Sequence, residues 1–492
     1  MMRRCHNIWM SKDITRMIVA AITVLVCGPG FTQEAAKKLP EKYAPPRAPT
    51  VLIPEAPTVS AADLEVDAFM QIPAARTTFS VTGKGLCVVV IDSGINTNHV
   101  SFVGRLIKGK NFSEDGGADD MRDTERNAAG AIVPNGHGSN VAGIIAGNKL
   151  PAFESIPTGI AHDAKIVPLK VFPGGQFTKI NEALQWVLDN RERILTEQGA
   201  LISVVNMSLG ADGVNVKDDT GLPAVILAQR DLIKQLREKN IAVVVSSGNS
   251  YAAISPNQQG MSVPGIFKET TSVAAIYDTN LPADVPPLPR TYIDGGTVKR
   301  AVAGRLTVFS QRLGDSDGGA FRTDICGPGF FVTSAGPEVG VDPTRSRTTQ
   351  DGTSQAAPTI AGIILLAQQR WRDRKLAANP TTFNKGDLPT VDLIEKALRD
   401  GGTIFEDAED TIGVAMDNVT SSGGIFHRAN ALGLLNQIDF ATSTASPTLV
   451  PNTPSTLQAL QVELYGKSPD EQKQVLDQFR KGVGKFNVFK KQ

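Results

Sequence analysis

Four short apolar runs separated by longer helical patterns constrain the fold of this chain most strongly. The runs are apolar at consecutive positions rather than at alternate ones, which indicates strands that are buried on both faces. Segments 176–198 and 222–238 lie between them and have the spacing of amphipathic helices. Parallel strands joined by crossover helices predict an α/β fold of three layers, with a central, mostly parallel sheet and helices on both faces. The four runs are residues 87–91, 166–171, 202–206 and 241–246.

Polar residues follow two of these runs, at the sheet edge where ligand sites form. Asp92 follows the first run and Asn249 follows the fourth, so both are expected at the carboxyl edge of the sheet. His137, in Asn-Gly-His-Gly-Ser, and Ser354, in Asp-Gly-Thr-Ser-Gln, each precede an apolar segment that predicts a buried helix. His137 is therefore expected in a first helical turn at the cleft. Ser354 is expected at the amino end of its helix, where free N–H groups favour negative charge.

These four residues together indicate nucleophilic catalysis. A serine hydroxyl needs an imidazole to take its proton and a carboxylate to orient that imidazole. The chain order Asp92, His137, Ser354 is one of the few known for such a triad. On these motifs the sequence resembles the subtilisin-like serine peptidases (subtilases), from about residue 63 to 438. The resemblance implies the three-layer subtilisin-like fold and hydrolysis of peptide bonds through an acyl-enzyme on Ser354, with Asn249 and the backbone N–H of Ser354 as oxyanion donors.

The resemblance also implies a set of substrate-contacting residues on two strand edges and one pocket wall. They are Ser208, Leu209 and Gly210 on the first edge, Gly175 and Phe177 on the second edge, and Ser247 and Gly248 in the wall. Two interpretations of Phe177 are open: a lid over a substrate subsite, or a core residue of the following helix. The base of the primary pocket is expected within residues 250–264, where no acidic residue occurs, which favours a moderately apolar side chain over a basic one.

Several positions depart from the family pattern. Ser139 and Asn140 stand where the family usually has Thr and a second His, and Gln355 stands where Met is common. Segment 33–60 is too short and too rich in proline to be the folded propeptide that many exported relatives carry. These departures suggest a competing class, a catalytically silent subtilisin-like peptide-binding protein. The joint presence of the four catalytic candidates argues against it, since a silent binder needs none of them.

The implied chemistry requires no cofactor. Calcium is common in the family, but Ser101 replaces a carboxylate usually found after the catalytic Asp motif. Acidic residues before His137 form either a calcium-binding loop or, as we favour, a solvated loop. They are Glu114, Asp115, Asp119, Asp120 and Asp123. With 50 basic and 50 acidic residues, the chain shows no sign of a nucleic-acid partner. Peptides or proteins are the expected substrates, and the oligomeric state is not indicated.

The amino terminus predicts a signal peptide over residues 1–32. Basic residues precede an apolar run at 17–27, which is too short for a stable membrane span. A start at Met10 would give a more compact signal. Lipid anchoring at Cys27 is disfavoured because Val26 is bulkier than the small residue that such sites require. The protein is therefore expected to be exported, to the periplasm or the medium.

The remaining chain divides by composition. Composition predicts a proline-rich linker over residues 33–60 and the peptidase domain over 61–438, with a surface insertion at 279–306. Residues 439–492 are predicted to form a linker and a small helical tail. Cys87 and Cys326 are expected to be buried and unpaired, since two cysteines make no disulfide framework.

Overall fold

A computed structural model describes residues 65–150, 156–251, 258–278, 303–407 and 422–442, with the backbone of three short strands at 51–52, 292–294 and 297–299. The strands are β1 Val51–Leu52, β2 Leu86–Asp92, β3 Lys110–Asn111, β4 Thr124–Arg126, β5 Ile132–Pro134, β6 Lys165–Lys170, β7 Leu201–Met207, β8 Ala242–Ser246, β9 Thr271–Ile276, β10 Tyr292–Asp294, β11 Thr297–Lys299, β12 Ile325–Pro328, β13 Val332–Ala335, β14 Arg347–Gln350, β15 Thr403–Glu406 and β16 Ile425–Arg428. The helices are α1 Glu65–Phe69, α2 Ile72–Phe79, α3 His137–Ala146, α4 Phe177–Gln198, α5 Ala224–Glu238, α6 Asp315–Gly318, α7 Thr353–Ala378, α8 Val391–Asp400 and α9 Ala431–Thr442. Single 3₁₀ turns lie at Val100–Phe102, Gly319–Phe321 and Pro343–Arg345.

The centre of the molecule is a nine-stranded sheet in the order β15-β16-β12-β9-β8-β7-β2-β6-β3. Its neighbours pair in parallel except β15 and β16 at one edge, which are antiparallel. The four predicted runs are β2, β6, β7 and β8, and they are adjacent in the sheet. This arrangement confirms the predicted, mostly parallel sheet.

Helices cover both faces of the sheet and produce two separate cores. Val88 and Val90 of β2 face a core shared with α3, α7 and α9, whereas Val89 and Ile91 face a core shared with α4 and α5. Successive side chains of a strand point to opposite faces, so a strand between two helical layers is apolar at every position. The non-alternating apolar pattern in the sequence has this cause, and the three-layer prediction is confirmed.

Smaller sheets flank the central one. Strands β13 and β14 pair antiparallel, and β1 adds to the outer side of β14. The two residues of the proline-rich linker that the structure describes, Val51 and Leu52, are thus extended and paired. Strands β4 and β5 form a hairpin directly before α3, and β10 and β11 form a hairpin within the predicted insertion.

Some predicted segments lie outside the described residues: the signal peptide, most of the linker, most of the insertion and residues 443–492. Helix α9 continues to Thr442, beyond the predicted domain end at 438. Asp439 on this helix receives two hydrogen bonds from the guanidinium of Arg370, at 2.5 and 2.8 Å, which fastens α9 to α7. No helix in the described ranges has both the length and the apolar character needed to cross a bilayer.

Cys87 and Cys326 are buried and unpaired in the structure. Burial raises the pKa of both thiols far above its ordinary value, so both remain protonated and behave as small apolar side chains.

Candidate active site

Asp92 and His137 form a buried pair. Asp92 is the last residue of β2 and is 1% exposed, and His137 is the first residue of α3. Nδ1 of His137 lies 2.8 Å from Oδ1 of Asp92, which also accepts from N and Oγ of Ser93 at 2.7 and 3.0 Å. A carboxylate oxygen only accepts, so this contact puts the imidazole proton on Nδ1 and leaves Nε2 with a lone pair.

The surroundings of His137 favour its charged form. Burial opposes the imidazolium, but the charge and the hydrogen bond of Asp92 outweigh it and raise the pKa of His137 above its ordinary value. The charges of Asp123 and Glu125 act in the same direction. The site is therefore prepared to stabilise the cation that forms when the imidazole accepts a proton.

Asp123 is a second buried carboxylate that supports the pair. Its Oδ1 accepts from Oγ of Ser93 at 2.7 Å, and its Oδ2 accepts from N and Oγ of Ser139 at 2.7 and 2.6 Å. Burial raises the pKa of Asp123 despite these hydrogen bonds. Asp123 thus joins the loop after β2 to the first turn of α3, a role that its position in an acidic loop did not indicate.

Ser354 is the second residue of α7 and is 9% exposed. Its Oγ donates to the backbone O of Ser208 at 3.3 Å. Within the described residues no hydrogen bond joins Oγ of Ser354 to Nε2 of His137. Such bonds are often long or differently directed before substrate binds, so the geometry leaves Ser354 eligible as the nucleophile.

Pro358 determines how Ser354 is attached to the sheet. Proline has no N–H, so Pro358 cannot donate to the carbonyl of Ser354 one turn earlier. Oγ of Ser208 takes over this role and donates to O of Ser354 at 2.7 Å, while Nδ2 of Asn206 donates to Oγ of Ser208 at 2.9 Å. The carbonyl of Ser354, which Pro358 leaves without a helical donor, thus accepts from Ser208 and attaches the start of α7 to the residue after β7.

Asn249 is oriented by Thr353, the residue before Ser354. Oδ1 of Asn249 accepts from both N and Oγ1 of Thr353 at 2.8 Å, and Oγ1 of Thr353 accepts from N of Gly248 at 3.2 Å. With Oδ1 engaged, Nδ2 remains free to donate elsewhere. A Cβ placed on Gly352 would lie 3.1 Å from Oε1 of Gln355, 3.2 Å from Nδ2 of Asn249 and 3.4 Å from N of Ser354. Two nitrogens that can donate, Nδ2 of Asn249 and N of Ser354, therefore lie beside Gly352, together with the carbonyl oxygen of the Gln355 side chain.

Ser262 lies between the predicted pocket wall and the first predicted strand edge. A Cβ on Gly210 would lie 3.0 Å from Oγ of Ser262, and a Cβ on Gly248 would lie 2.8 Å from its Cβ. Oγ of Ser262 donates to O of Ala211 at 2.7 Å. Ser262 lies within the segment in which the sequence places the pocket base, and it stands between the edge that follows β7 and the wall that follows β8.

Gln311 also contacts the predicted pocket wall. A Cβ on Gly248 would lie only 2.1 Å from Oε1 of Gln311, whose Nε2 donates to O of Val214 at 2.8 Å. Oγ of Ser247 donates to O of Gln311 at 2.6 Å. Gln311 was not predicted, because it is distant in the chain and belongs to no motif.

Comparison with known proteins decides the family. The family model described as the Subtilase family matches residues 83–385, more than half of the chain. The chain is a subtilase.

Relatives of this subtilase include serine protease AprX of Bacillus subtilis, which is 26% identical over 68% of this chain and 64% of AprX. The major intracellular serine protease of the same organism is 23% identical over 68% of this chain and 84% of its own length. An extracellular protease of Xanthomonas campestris is 25% identical over 58% of this chain and 44% of its own length. The subtilase thus spans less than two thirds of AprX. Among solved structures, a protease from Pseudoalteromonas arctica matches 76% of this chain and 94% of its own, at 20% identity and a TM-score of 0.47.

At the second predicted edge of the subtilase, the structure agrees with one of the two interpretations of Phe177. Phe177 is 3% exposed and packs in the core with Ile180 of the same helix, so its position fits the core reading and not a lid over a substrate subsite. The adjacent turn is held by N of Gly175, which donates to O of Val171 at 2.9 Å. Nε2 of Gln176 donates to Oε1 of Glu114 at 3.1 Å, so the acidic loop packs against this edge.

The remaining acidic residues of that loop are individually paired. Asp115 accepts from Thr124 at 2.8 Å and from the buried Lys170 at 3.2 Å. Asp119 pairs with Lys108, and Asp120 pairs with Arg122. In the part of the chain that the structure describes, no three His, Cys, Asp or Glu side chains are grouped so as to hold a metal ion.

Proposed function

We propose that this subtilase is a serine endopeptidase that hydrolyses peptide bonds through an acyl-enzyme on Ser354. The observation that supports this most is the buried hydrogen bond of 2.8 Å between Nδ1 of His137 and Asp92. It leaves Nε2 as a base in a site whose charges favour the imidazolium. The two donors that border Gly352 supply the electrostatic part of the same reaction.

The proposed steps use these groups in order. Nε2 of His137 accepts the proton of Ser354 as Oγ bonds to the substrate carbonyl carbon, and Asp92 stabilises the resulting cation. Nδ2 of Asn249 and N of Ser354 donate to the oxyanion. His137 then gives the proton to the leaving amine, and the C–N bond breaks. Water, activated by the same imidazole, hydrolyses the acyl-enzyme and releases Ser354. No cofactor enters these steps.

The substrate is proposed to be a peptide or protein that binds in an extended conformation along Ser208, Leu209 and Gly210. The side chains next to the predicted pocket wall, Ser262 and Gln311, are polar and uncharged, and Oγ of Ser262 lies beside Gly210. This supports a preference for uncharged side chains of small to moderate size before the scissile bond. Profiling of cleavage sites in a peptide library tests it, and a dominant preference for Lys or Arg at that position would contradict it.

Hydrolysis of an unstructured protein tests the proposed activity. The wild type is expected to degrade it, and Ser354→Ala is expected to lose the activity while still binding peptides. A catalytically silent peptide-binding protein would show the same binding with no hydrolysis in either form.

We also propose that the protein is exported, on the evidence of the apolar run at residues 17–27. The relatives include both an extracellular and an intracellular protease, so they do not decide this point. Expression of the whole chain in a bacterial host tests it. A shortened protein in the periplasm or medium is expected, and a full-length protein retained in the cytoplasm would contradict the proposal.

A further inference from the structure

A hairpin stands directly before His137 in the chain. It consists of β4 and β5, with Glu125 opposite Val133, and its base is closed by N of Asn135, which donates to O of Asp123 at 3.0 Å. The hairpin is therefore anchored at Asp123, which also holds Ser139 on the first turn of α3. A residue on the hairpin can thus influence His137 through a rigid connection.

Asn135 makes that connection through its side chain. Its Oδ1 accepts from the backbone N of His137 at 2.7 Å, and its Nδ2 donates to Oε2 of Glu125 at 2.8 Å. The backbone N–H of His137 only donates, so the amide oxygen must face it and the NH₂ must face Glu125. Asn135 is 1% exposed, which shields both bonds from water. Two hydrogen bonds thus link the carboxylate of Glu125 to the backbone of His137.

Three carboxylates on the elements around His137 favour its charged form. Asp92 comes from β2, Asp123 from the loop before the hairpin, and Glu125 from β4. Asp92 and Asp123 are buried, whereas Glu125 is half-buried. Burial raises the pKa of Glu125, and the hydrogen bond from Asn135 and the charge of His137 oppose that rise. Glu125 is therefore the one of the three whose charge solvent ions can reach.

We propose that Glu125 is a positioning residue for the base of the reaction: through Asn135 it holds the first turn of α3, and its negative charge stabilises His137 as a cation while the tetrahedral intermediate forms. The inference rests on the proposed function, because it assigns Glu125 a part in that reaction. Asp92 orients the imidazole by a direct hydrogen bond. Glu125 contributes a negative charge that is partly exposed to solvent.

The substitution Glu125→Gln separates charge from geometry, since Gln keeps an oxygen that can accept from Asn135. We expect kcat to fall about two- to fivefold at alkaline pH with KM unchanged. The reason is that the His137 imidazolium, which forms in the transition state, loses the negative charge of Glu125. The acid limb of the pH profile of kcat is expected to move to lower pH. Both differences should become smaller as salt is raised from about 0.01 M to about 1 M, because the Debye length falls from roughly 30 to roughly 3 Å.

Two variants serve as controls. Glu125→Asp keeps the charge and is expected to restore most of kcat and the position of the acid limb. Glu197→Gln removes an exposed carboxylate at the far end of α4 and is expected to change neither. A Glu125→Gln profile that coincides with the wild type, or a loss of the same size in Glu197→Gln, overturns the inference.

Titration of the His137 ring by NMR decides the inference without using activity. The resonance is assigned with His137→Ala, and its pKa is expected to be lower in Glu125→Gln than in the wild type. An equal pKa in the two proteins overturns the inference even if both are active. If the wild type hydrolyses no peptide, the proposed function fails, and this titration still shows whether Glu125 stabilises the cation.

Discussion

The side-chain amides of Asn140 and Gln355 contact each other in the core, with Nε2 of Gln355 donating to Oδ1 of Asn140 at 3.4 Å. Nδ2 of Asn140 donates to the backbone O of Thr348 at 3.0 Å, which fixes the orientation of Asn140. Nε2 of Gln355 also donates to Oε1 of Gln350 at 3.1 Å, and Gln350 donates to O of Gly136 at 3.2 Å. Two departures from the family pattern are thus partners, and they connect the residue after Ser354 to the residue before His137.

This relationship predicts that Gln355→Met destabilises the protein. Met is common at this position in the family, but here it would leave Oδ1 of Asn140 and Oε1 of Gln350 without their donor. A buried polar group left without its partner costs about 1–3 kcal/mol, so the melting temperature is expected to fall. Thermal unfolding, with the exposed Gln235→Met as the control, measures this. A variant as stable as the wild type would show that the amide contact contributes nothing.

The orientation of Asn249 by Thr353 predicts a specific loss in Thr353→Val. Val keeps the shape of Thr but removes the Oγ1 that donates to Asn249 and accepts from Gly248. We expect kcat to fall about tenfold with little change in KM, because a misaligned oxyanion donor affects the transition state more than the ground state. Thr353→Ser is expected to restore activity, and Asn249→Leu is expected to lose about 10²–10³ in kcat, the range known for a subtilisin. Equal kcat in Thr353→Val and wild type would contradict the assigned role.

The charge around His137 predicts the acid limb of the pH profile. The base acts in its neutral form, so kcat/KM should be lost as the pH falls through the pKa of His137, which Asp92 raises above the ordinary 6.5. Asp92→Asn should move this limb to lower pH and reduce kcat by about 10⁴. Steady-state kinetics of both proteins measure the two effects. A wild-type limb centred below 6.5 would contradict the electrostatic account.

His99 predicts a loss of stability in acid. It is fully buried, with Nε2 2.8 Å from O of Ser346 and Nδ1 accepting from N of Ser101, and burial lowers its pKa to about 4. Below the ordinary pKa of 6.5 the unfolded chain binds this proton more readily than the folded one. The stability it contributes is therefore complete above that pH and is lost as the pH falls toward 4, by up to about 3 kcal/mol.

Urea unfolding at neutral and acid pH measures this effect, with His99→Gln as the variant that cannot titrate. The free energy of unfolding of the wild type should fall further than that of His99→Gln over this interval. Parallel pH dependence of the two proteins would show that His99 is not the titrating group.

The fold could be predicted because its signals are local. The apolar runs at β2, β6, β7 and β8 need only their own residues to indicate double burial, and helix α4 begins within one residue of its predicted start. The glycine-rich contexts of His137 and Ser354 likewise carry their signal within a few positions. These features depend on period and neighbouring residues, which the sequence displays directly.

The supporting parts of the site depend on contacts between distant segments. Ser262 and Gln311 contact Gly248 only after the sheet has assembled, and Asn135 connects Glu125 to the backbone of His137 only because the hairpin is closed at Asp123. The sequence left the direction of Phe177 open, because a residue at a helix start can face either the core or the cleft. Its direction depends on how the helix packs against the sheet. The hydrogen bond from Oγ of Ser208 to the carbonyl of Ser354, which Pro358 leaves without a helical donor, likewise joins segments that are distant in the chain.

Covalent labelling of the whole folded protein by a fluorophosphonate, with the adduct located by mass spectrometry, tests whether Ser354 is the nucleophile. One adduct is expected on Ser354 in the wild type, none in Ser354→Ala, and much slower labelling in His137→Ala. A folded wild-type protein that is not labelled, or an adduct on another serine that persists in Ser354→Ala, would contradict this role of Ser354.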